Sequence, residues 1–254
     1  MESPEGEVRR LSGELDAALE EGLREVVGGP GSLGVLFSGG VDSSLLAWEL
    51  RHHPHVVLGT VGRAESADLL AGQRGAERLG LPWHSVVIDE DDVREASTRF
   101  AEELGDLPWV VRTVLLALAL AIERTPADRL VCGQGVDELF LGYAHYSGLS
   151  PADAEVRVRE DLDRLLRVDL PRTRRIARRA GKEIFAPFLT TRFVESALRV
   201  PIALRLPTRM PKRFFRDWAV GRGLPRELAE QRKRAIQYGS GVAALARAAE
   251  RRTR

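Results

Sequence analysis

The stretch Leu33-Gly34-Val35-Leu36-Phe37-Ser38-Gly39-Gly40-Val41-Asp42-Ser43-Ser44 decides how the rest of the chain is read. It begins as an apolar run rich in β-formers, passes through Ser-Gly-Gly, and continues into the helical pattern Leu45-Leu46-Ala47-Trp48-Glu49-Leu50. That order predicts a buried strand, a tight turn and a helix N-terminus. Gly39 and Gly40 have no Cβ, so backbone N–H groups there can come close to an anion. Asp42, Ser43 and Ser44 fall at N-cap and first-turn positions, where unpaired donors meet the positive end of the helix dipole. Such a turn either caps a helix without binding anything or holds phosphate. The strand before it and the helix after it favour phosphate. Gly-Lys-Ser/Thr is missing, so the turn is not a Walker loop.

Working outward, Glu7 to Val27 has Leu11, Leu15, Ala18, Leu23 and Val26 near helical spacing, and Val27-Gly28-Gly29-Pro30-Gly31 ends that helix. Beyond Pro54, Val56–Val61 reads as a second buried strand. Ser66-Ala67-Asp68 then caps a helix that stops at Gly80. Trp83–Ile88 is a third strand, Asp89–Asp92 opens a helix reaching about Leu104, and Pro108 to Ile122 is an apolar helix buried on most sides. Arg129–Cys132 is a fourth strand, running into Gly133-Gln134-Gly135-Val136-Asp137-Glu138. Strands alternating with helices predict an α/β fold with a doubly wound parallel sheet and ligands at the C-terminal strand ends, where both glycine-rich turns lie. From Pro151 onward the strand signal stops, and helical stretches broken by prolines follow. The expected organisation is an N-terminal helix over 1–30, an α/β core over 31–146 and a helical lobe over 147–254, in one compact unit.

Composition sets the outer limits. With 254 residues, 44% hydrophobic and 30% charged, the chain has the makeup of a soluble globular protein. The longest fully apolar stretch, Val114–Ile122, is far too short to span a bilayer, so no membrane partner is expected. Met1-Glu2-Ser3-Pro4-Glu5 has no apolar segment of the kind a secretory signal needs, and the expected compartment is the cytoplasm. The one cysteine, Cys132, excludes an internal disulfide and a Cys-based zinc cluster, and it reads as a buried strand-end residue. The five histidines have no metal-ligand spacing. Net charge is only +1, but residues 205–254 carry fourteen Arg/Lys against four Asp/Glu, and Arg172–Lys182 adds six more cations. Arginine-solvated helices and an RNA-binding patch compete here. No aromatics interleave with the arginines, which favours the solvated surface.

Taken alone, the first turn resembles the Ser-Gly-Gly-x-Asp-Ser loop of the ATP pyrophosphatases. Four stretches together resemble the synthetase domain of the asparagine synthetase family, which also includes β-lactam synthetases. They are Ser38–Ser44; Thr60-Val61-Gly62 with Ser66-Ala67-Asp68; Gly133-Gln134-Gly135-Val136-Asp137-Glu138-Leu139-Phe140-Leu141-Gly142-Tyr143; and Asp169-Leu170-Pro171-Arg172 with Glu183 and Pro187-Phe188-Leu189. Leu224-Pro225-Arg226-Glu227-Leu228 and Arg232-Lys233 match the family's closing segment. The resemblance implies an ATP pyrophosphatase-type fold and an ATP-dependent, AMP-forming ligase: a carboxylate attacks the α-phosphate of ATP, and an amine then displaces AMP. It implies nucleotide contacts from Leu36, Ser38, Gly39, Gly40, Asp42, Ser43, Ser44, Thr60, Gly62 and Gly133. It further implies Mg²⁺ on Asp42 and Asp137, a pyrophosphate-side cation in Lys233, and an acceptor pocket shaped by Gln134 and Glu183. For Glu183 the plainer alternative is a structural ion pair with Arg174 or Arg178.

The departures concern the acceptor and the amine. Gln134 stands where aspartate-amidating members carry glutamate, and an amide cannot serve as a general base. Thr190 replaces the aspartate of Pro-Phe-Leu-Asp, and Thr173-Arg174 replaces an Asp-Arg pair. Glu2 stands where the family's glutaminase domain has a nucleophilic cysteine. The expected nitrogen source is therefore free ammonia, another amine, or a separate glutaminase subunit. Two other readings compete: an ATP pyrophosphatase acting on tRNA, by lysidine formation or thiolation, and a nucleotide-binding protein that has lost synthetase activity.

Overall fold

The computed structural model describes residues 4–105, 107–207, 210–231 and 235–252. Strands β1 (Leu33–Leu36), β2 (Val56–Gly62), β3 (Trp83–Val87), β4 (Arg129–Val131) and β5 (Glu183–Phe185) form one sheet in the order β3-β2-β1-β4-β5. Every neighbouring pair is parallel, and Leu33 is level with Val56 on one side and Arg129 on the other. The chain winds outward from β1 to β3, then returns across β1 to β4 and β5. The sheet is thus doubly wound, as expected, with its topological switch point between β1 and β4. The fifth strand corrects the expectation that only helices follow Pro151. It has three residues, and Ile184 alone among them is fully buried, too little for a strand period to show.

The helices described before the fourth strand are α1 (Pro4–Val27), α2 (Val41–Leu50), α3 (Ala67–Leu79), α4 (Glu90–Arg99), α5 (Ala101–Leu104) and α6 (Trp109–Arg124). After it come α7 (Val136–Leu139), α8 (Pro151–Arg164), α9 (Leu170–Arg179), α10 (Thr191–Arg199), α11 (Ile202–Arg205) and α12 (Arg213–Gly221), with three further helices beyond. The single helix expected from Asp89 to Leu104 is two, because buried Phe100 leaves helical geometry at φ −104, ψ 22. Between α8 and α9 the helix widens into a π-turn over Leu165–Asp169. Pro171 follows in the first turn of α9, and a proline has no N–H to give to an α-helical bond and crowds the carbonyl four residues back. Among the described residues no helix is long and apolar enough to cross a membrane.

Alternate residues of each strand feed two cores. Leu33, Val35, Val56 and Leu58 face one, with Leu15 and Leu19 of α1, Leu45 and Leu46 of α2, and Phe215 and Trp218 of α12. Leu36, Val61 and Leu130 face the other, with α4, α6 and α9. In the first core Phe140, Phe188, Phe193, Phe215 and Trp218 form a run of ring contacts with centroids 5.1–5.9 Å apart. These rings fix α7, α10 and α12 to one another. So α1 is built into the main core, and the segment past residue 146 supplies a strand to the sheet as well as helices.

A tight helix-to-sheet approach is at Gly59 in the middle of β2. A Cβ there would lie 2.1 Å from Thr125 Oγ1 and 2.7 Å from its methyl, at the C-terminal end of α6. Gly59→Ala is expected to cost about 2 kcal/mol through overpacking, read as a lower urea midpoint with an unchanged m-value.

Candidate active site

At the end of β1 the chain turns through Ser38-Gly39-Gly40 into α2. Gly39 has φ +70, and a Cβ there would lie 2.7 Å from the Ala71 carbonyl oxygen, so glycine is required on both counts. The turn is tied internally: Ser38 N–H donates to Ser43 Oγ at 3.2 Å, and that hydroxyl donates to the Gly40 carbonyl at 3.2 Å. The N-cap is Gly40, with no side-chain cap, so the first-turn N–H groups stay available to an anion. Ser44 Oγ is fully buried beneath the turn with no hydrogen-bond partner. Asp42 does not cap the helix. Its carboxylate turns inward.

A second turn, at the end of β4, meets the first across the switch point. Gly133 makes this possible: a Cβ there would stand 2.9 Å from Asp42 Cβ. Asp137, in the first turn of α7, thereby faces Asp42, and one ammonium lies between them. Lys212 Nζ donates to Asp42 Oδ1 and Oδ2 at 2.8 Å each and lies 2.9 Å from Asp137 Oδ1. Lys212 is buried, and burial is the largest influence on its ammonium, pulling the pKa down. Asp137 and Asp42 together outweigh it and hold the lysine above its ordinary value. The trio therefore carries two negative charges and one positive.

Two supports aim the lysine. Lys212 sits in the left-handed region at φ 59, immediately before α12, whose Phe215 and Trp218 are anchored in the aromatic run. Arg216 Nε donates back to the Pro211 carbonyl at 3.0 Å, clamping the chain just before it. Sequence reading missed Lys212. The only local signal is a lysine, one of two in an arginine-rich tail, directly preceding Arg213-Phe214-Phe215.

The remaining expected residues divide. Leu36 ends β1 with its side chain in the second core, so any contact it makes to a ligand would be through its backbone. The Thr60 hydroxyl is already engaged, donating to the Phe37 carbonyl at 2.6 Å and accepting from Trp83 Nε1 at 2.9 Å. Gly62 makes room for Ser66, whose hydroxyl accepts from Leu69 N–H and caps α3 as expected. The closing segment returns here, with Arg63 N–H donating to the Ser240 carbonyl at 2.9 Å. Lys233 lies outside the described residues. Gln134 is held from both sides, its Nε2 donating to Thr173 Oγ1 and its Oε1 accepting from Cys132 Sγ, each at 3.4 Å. Cys132 is buried, and burial pushes its thiol up to about 11.

Glu183 is the residue the structure sets apart. It opens β5, level with Arg129 at the N-terminal end of β4, so the parallel strands place it at the opposite end of the sheet from Asp42 and Asp137. Its side chain is 69% exposed and pairs with Arg129 at 3.5 Å, not with Arg174 or Arg178.

Among the described residues no group of three His, Cys, Asp or Glu side chains converges on one point. The charged pair Asp42 and Asp137 does converge, as their shared ammonium shows. Two hard carboxylates fit a Mg²⁺-class ion that completes its shell with phosphate oxygens, and do not fit a soft metal. The pair depends on Gly142, where a Cβ would stand 1.9 Å from Asp137 Oδ1 and 3.0 Å from Lys212 Cδ. Gly142→Ala is expected to keep the far-ultraviolet circular dichroism of the parent while costing about 2 kcal/mol in urea unfolding, because the added methyl overpacks the space beside Asp137 and Lys212.

The asparagine synthase family pattern matches residues 14–159 and 148–254. A Methanocaldococcus jannaschii protein provisionally named a glutamine-hydrolysing asparagine synthetase is 29% identical, over 89% of this chain and 49% of its own length. The glutamine-hydrolysing asparagine synthetases of Gallus gallus and Homo sapiens are 28% and 30% identical, over 84% and 82% of this chain and 40% and 39% of their own lengths. The chain thus spans half or less of the relatives it matches. Because the family match runs through the α/β half and the helical half alike, the chain belongs to the asparagine synthase family.

Proposed function

We propose that the chain is an AMP-forming amide ligase that uses ATP to activate a carboxylate acceptor for attack by ammonia or another amine. The observation that carries this reading is the convergence of Asp42 and Asp137, from two neighbouring strand ends, on one buried ammonium beneath an uncapped helix N-terminus. An acceptor carboxylate oxygen bonds to the α-phosphorus of ATP as the bond to pyrophosphate breaks. The amine nitrogen then bonds to the acyl carbon, the bond to AMP breaks, and the amine's proton is lost. Catalysis of the first step is positioning and charge neutralisation. The Ser38–Ser44 turn and the α2 N-terminus hold the phosphates, and Lys212 neutralises charge on the departing pyrophosphate, with Lys233 assigned to the same side by its place in the closing segment. A Mg²⁺ ion held by Asp42 and Asp137 would add Lewis-acid stabilisation of the phosphate charge. Gln134, at the lip of the second turn, orients by hydrogen bonding and takes no proton.

The test is ATP–pyrophosphate exchange together with product formation. Asp42→Asn and Asp137→Asn preserve size, and each is expected to slow adenylate formation by about a hundredfold or more. Gln134→Glu is expected to leave ATP affinity nearly unchanged and to alter the second half-reaction. Equal activity of both asparagine variants and an active parent would end the proposal.

A second expectation concerns nitrogen. The one thiol among these 254 residues is buried and held largely protonated, so it is a poor nucleophile. Supplied with glutamine, this chain on its own is expected to release no glutamate, while ammonium supports product formation. Glutamate appearing in an assay with the pure chain would refute this.

A further inference from the structure

A groove of about 970 Å³ runs along the open edge of β5, between the C-terminal end of α1, the α9 helix and the turn after β5. Its charged lining is Arg24, Arg129, Arg174, Arg178 and Lys182 against Glu25 and Glu183. Two of these cations are committed to the fold: Arg129 Nη2 donates to the Glu25 carbonyl at 2.9 Å, and Lys182 Nζ to the Glu123 carbonyl at 3.0 Å. The Arg129 side chain is only 8% exposed, and its Nε is ion-paired with Glu183 Oε2 at 3.5 Å, so it too is committed. Arg24, Arg174 and Arg178 have no ion-pair partner among the described residues. Like charges collected along one concavity repel each other until an anion enters, and forked guanidinium groups suit carboxylate and phosphate oxygens.

The groove runs from the N-terminal strand ends, marked by Arg129 and Glu183, to the turn after β5, where it meets the second glycine turn. Leu189 forms part of its wall and also closes on the second glycine turn, where a Cβ on Gly135 would stand 2.4 Å from Leu189 Cδ2. Arg174 directly follows Thr173, the residue that receives the Gln134 amide. Its charge reaches Cys132 on the same turn.

Resting on the ligase reading above, we propose that this groove receives the acceptor, and that the acceptor carries at least two negative charges beyond the carboxylate that reacts, as a polycarboxylate or a phosphorylated acid. Arg174 and Arg178 are its specificity-determining residues. An acceptor with one charged end would leave the three unpaired arginines unanswered; a polyanion meets them and keeps its reactive carboxylate toward Gln134.

The experiment is calorimetric binding without ATP, paired with ATP–pyrophosphate exchange, across butyrate, glutarate, tricarballylate and 3-phosphonopropionate. Dissociation constants are expected to fall about tenfold per added negative charge. Tricarballylate and the phosphonate distinguish the polycarboxylate from the phosphorylated source. Arg174→Gln and Arg178→Gln are expected to flatten that trend while ATP affinity stays at the parent level. A flat series in the unmodified chain overturns the proposal without recourse to any variant. So does a graded series that survives both substitutions. Graded binding with no exchange by any member overturns the ligase reading instead, and leaves an anion groove serving another reaction. Displacement of bound tricarballylate by a twelve-nucleotide RNA at far lower concentration, lost in the same variants, overturns the proposal in favour of a nucleic-acid surface.

Discussion

Two carboxylates meeting one buried ammonium are the constraint around which this structure is arranged. Either acid alone at the switch point would face the other across a poorly solvated gap, and Lys212 relieves both at once. The surrounding choices serve that arrangement. Gly133 lets the two turns touch, Gly142 leaves space beside Asp137, and the aromatic run fixes the helix from which Lys212 is delivered. The same arrangement explains how one point can serve both a resting state and a loaded one. The lysine bridges the two acids by itself, and on the proposed reading a triphosphate arriving with its own counter-ion would find ligands already converged.

The elements divide by task. In the proposed reading, the nucleotide is handled by the ends of β1 and β4, the starts of α2 and α7, and the residue before α12. In the same reading, the acceptor lies against α9, the edge of β5 and the turn after it. Gln134 stands on the border, its carbonyl oxygen tied to Cys132 on the strand and its amide nitrogen to Thr173 on α9. Because Gln134 is an amide, it cannot act as a base, and in the proposed reaction the amine's proton would leave by another route.

Much of this was legible in the sequence, and the reasons are local. The strand, the Ser-Gly-Gly turn and the helix start of Leu33–Ser44 are dictated by neighbouring residues, and alternation of strands with helices then put Asp42 and Asp137 at strand ends in one sheet. What escaped depends on distance or brevity. Glu183–Phe185 is too short to show a period, and the break at Phe100 reflects tertiary burial within a helical pattern. Lys212 finds its partners 75 and 170 residues away, and nothing nearby in the chain announces them. Glu183 illustrates the opposite case: the motif around it is clear, but its place at the start of an edge strand carries it to the far end of the sheet.

The span from Asp42 to Lys212 also bears on how the protein is made. Closing a contact across 170 residues comes late, since the entropy of so long a loop must be met by structure already in place. During synthesis both acidic turns emerge well before the lysine that balances them, so they confront each other without a counter-charge until α12 docks. The centre is in this sense self-timing. A chain that stalls before its helical half has folded leaves Asp42 and Asp137 without Lys212, so the centre is completed only together with the second half of the core.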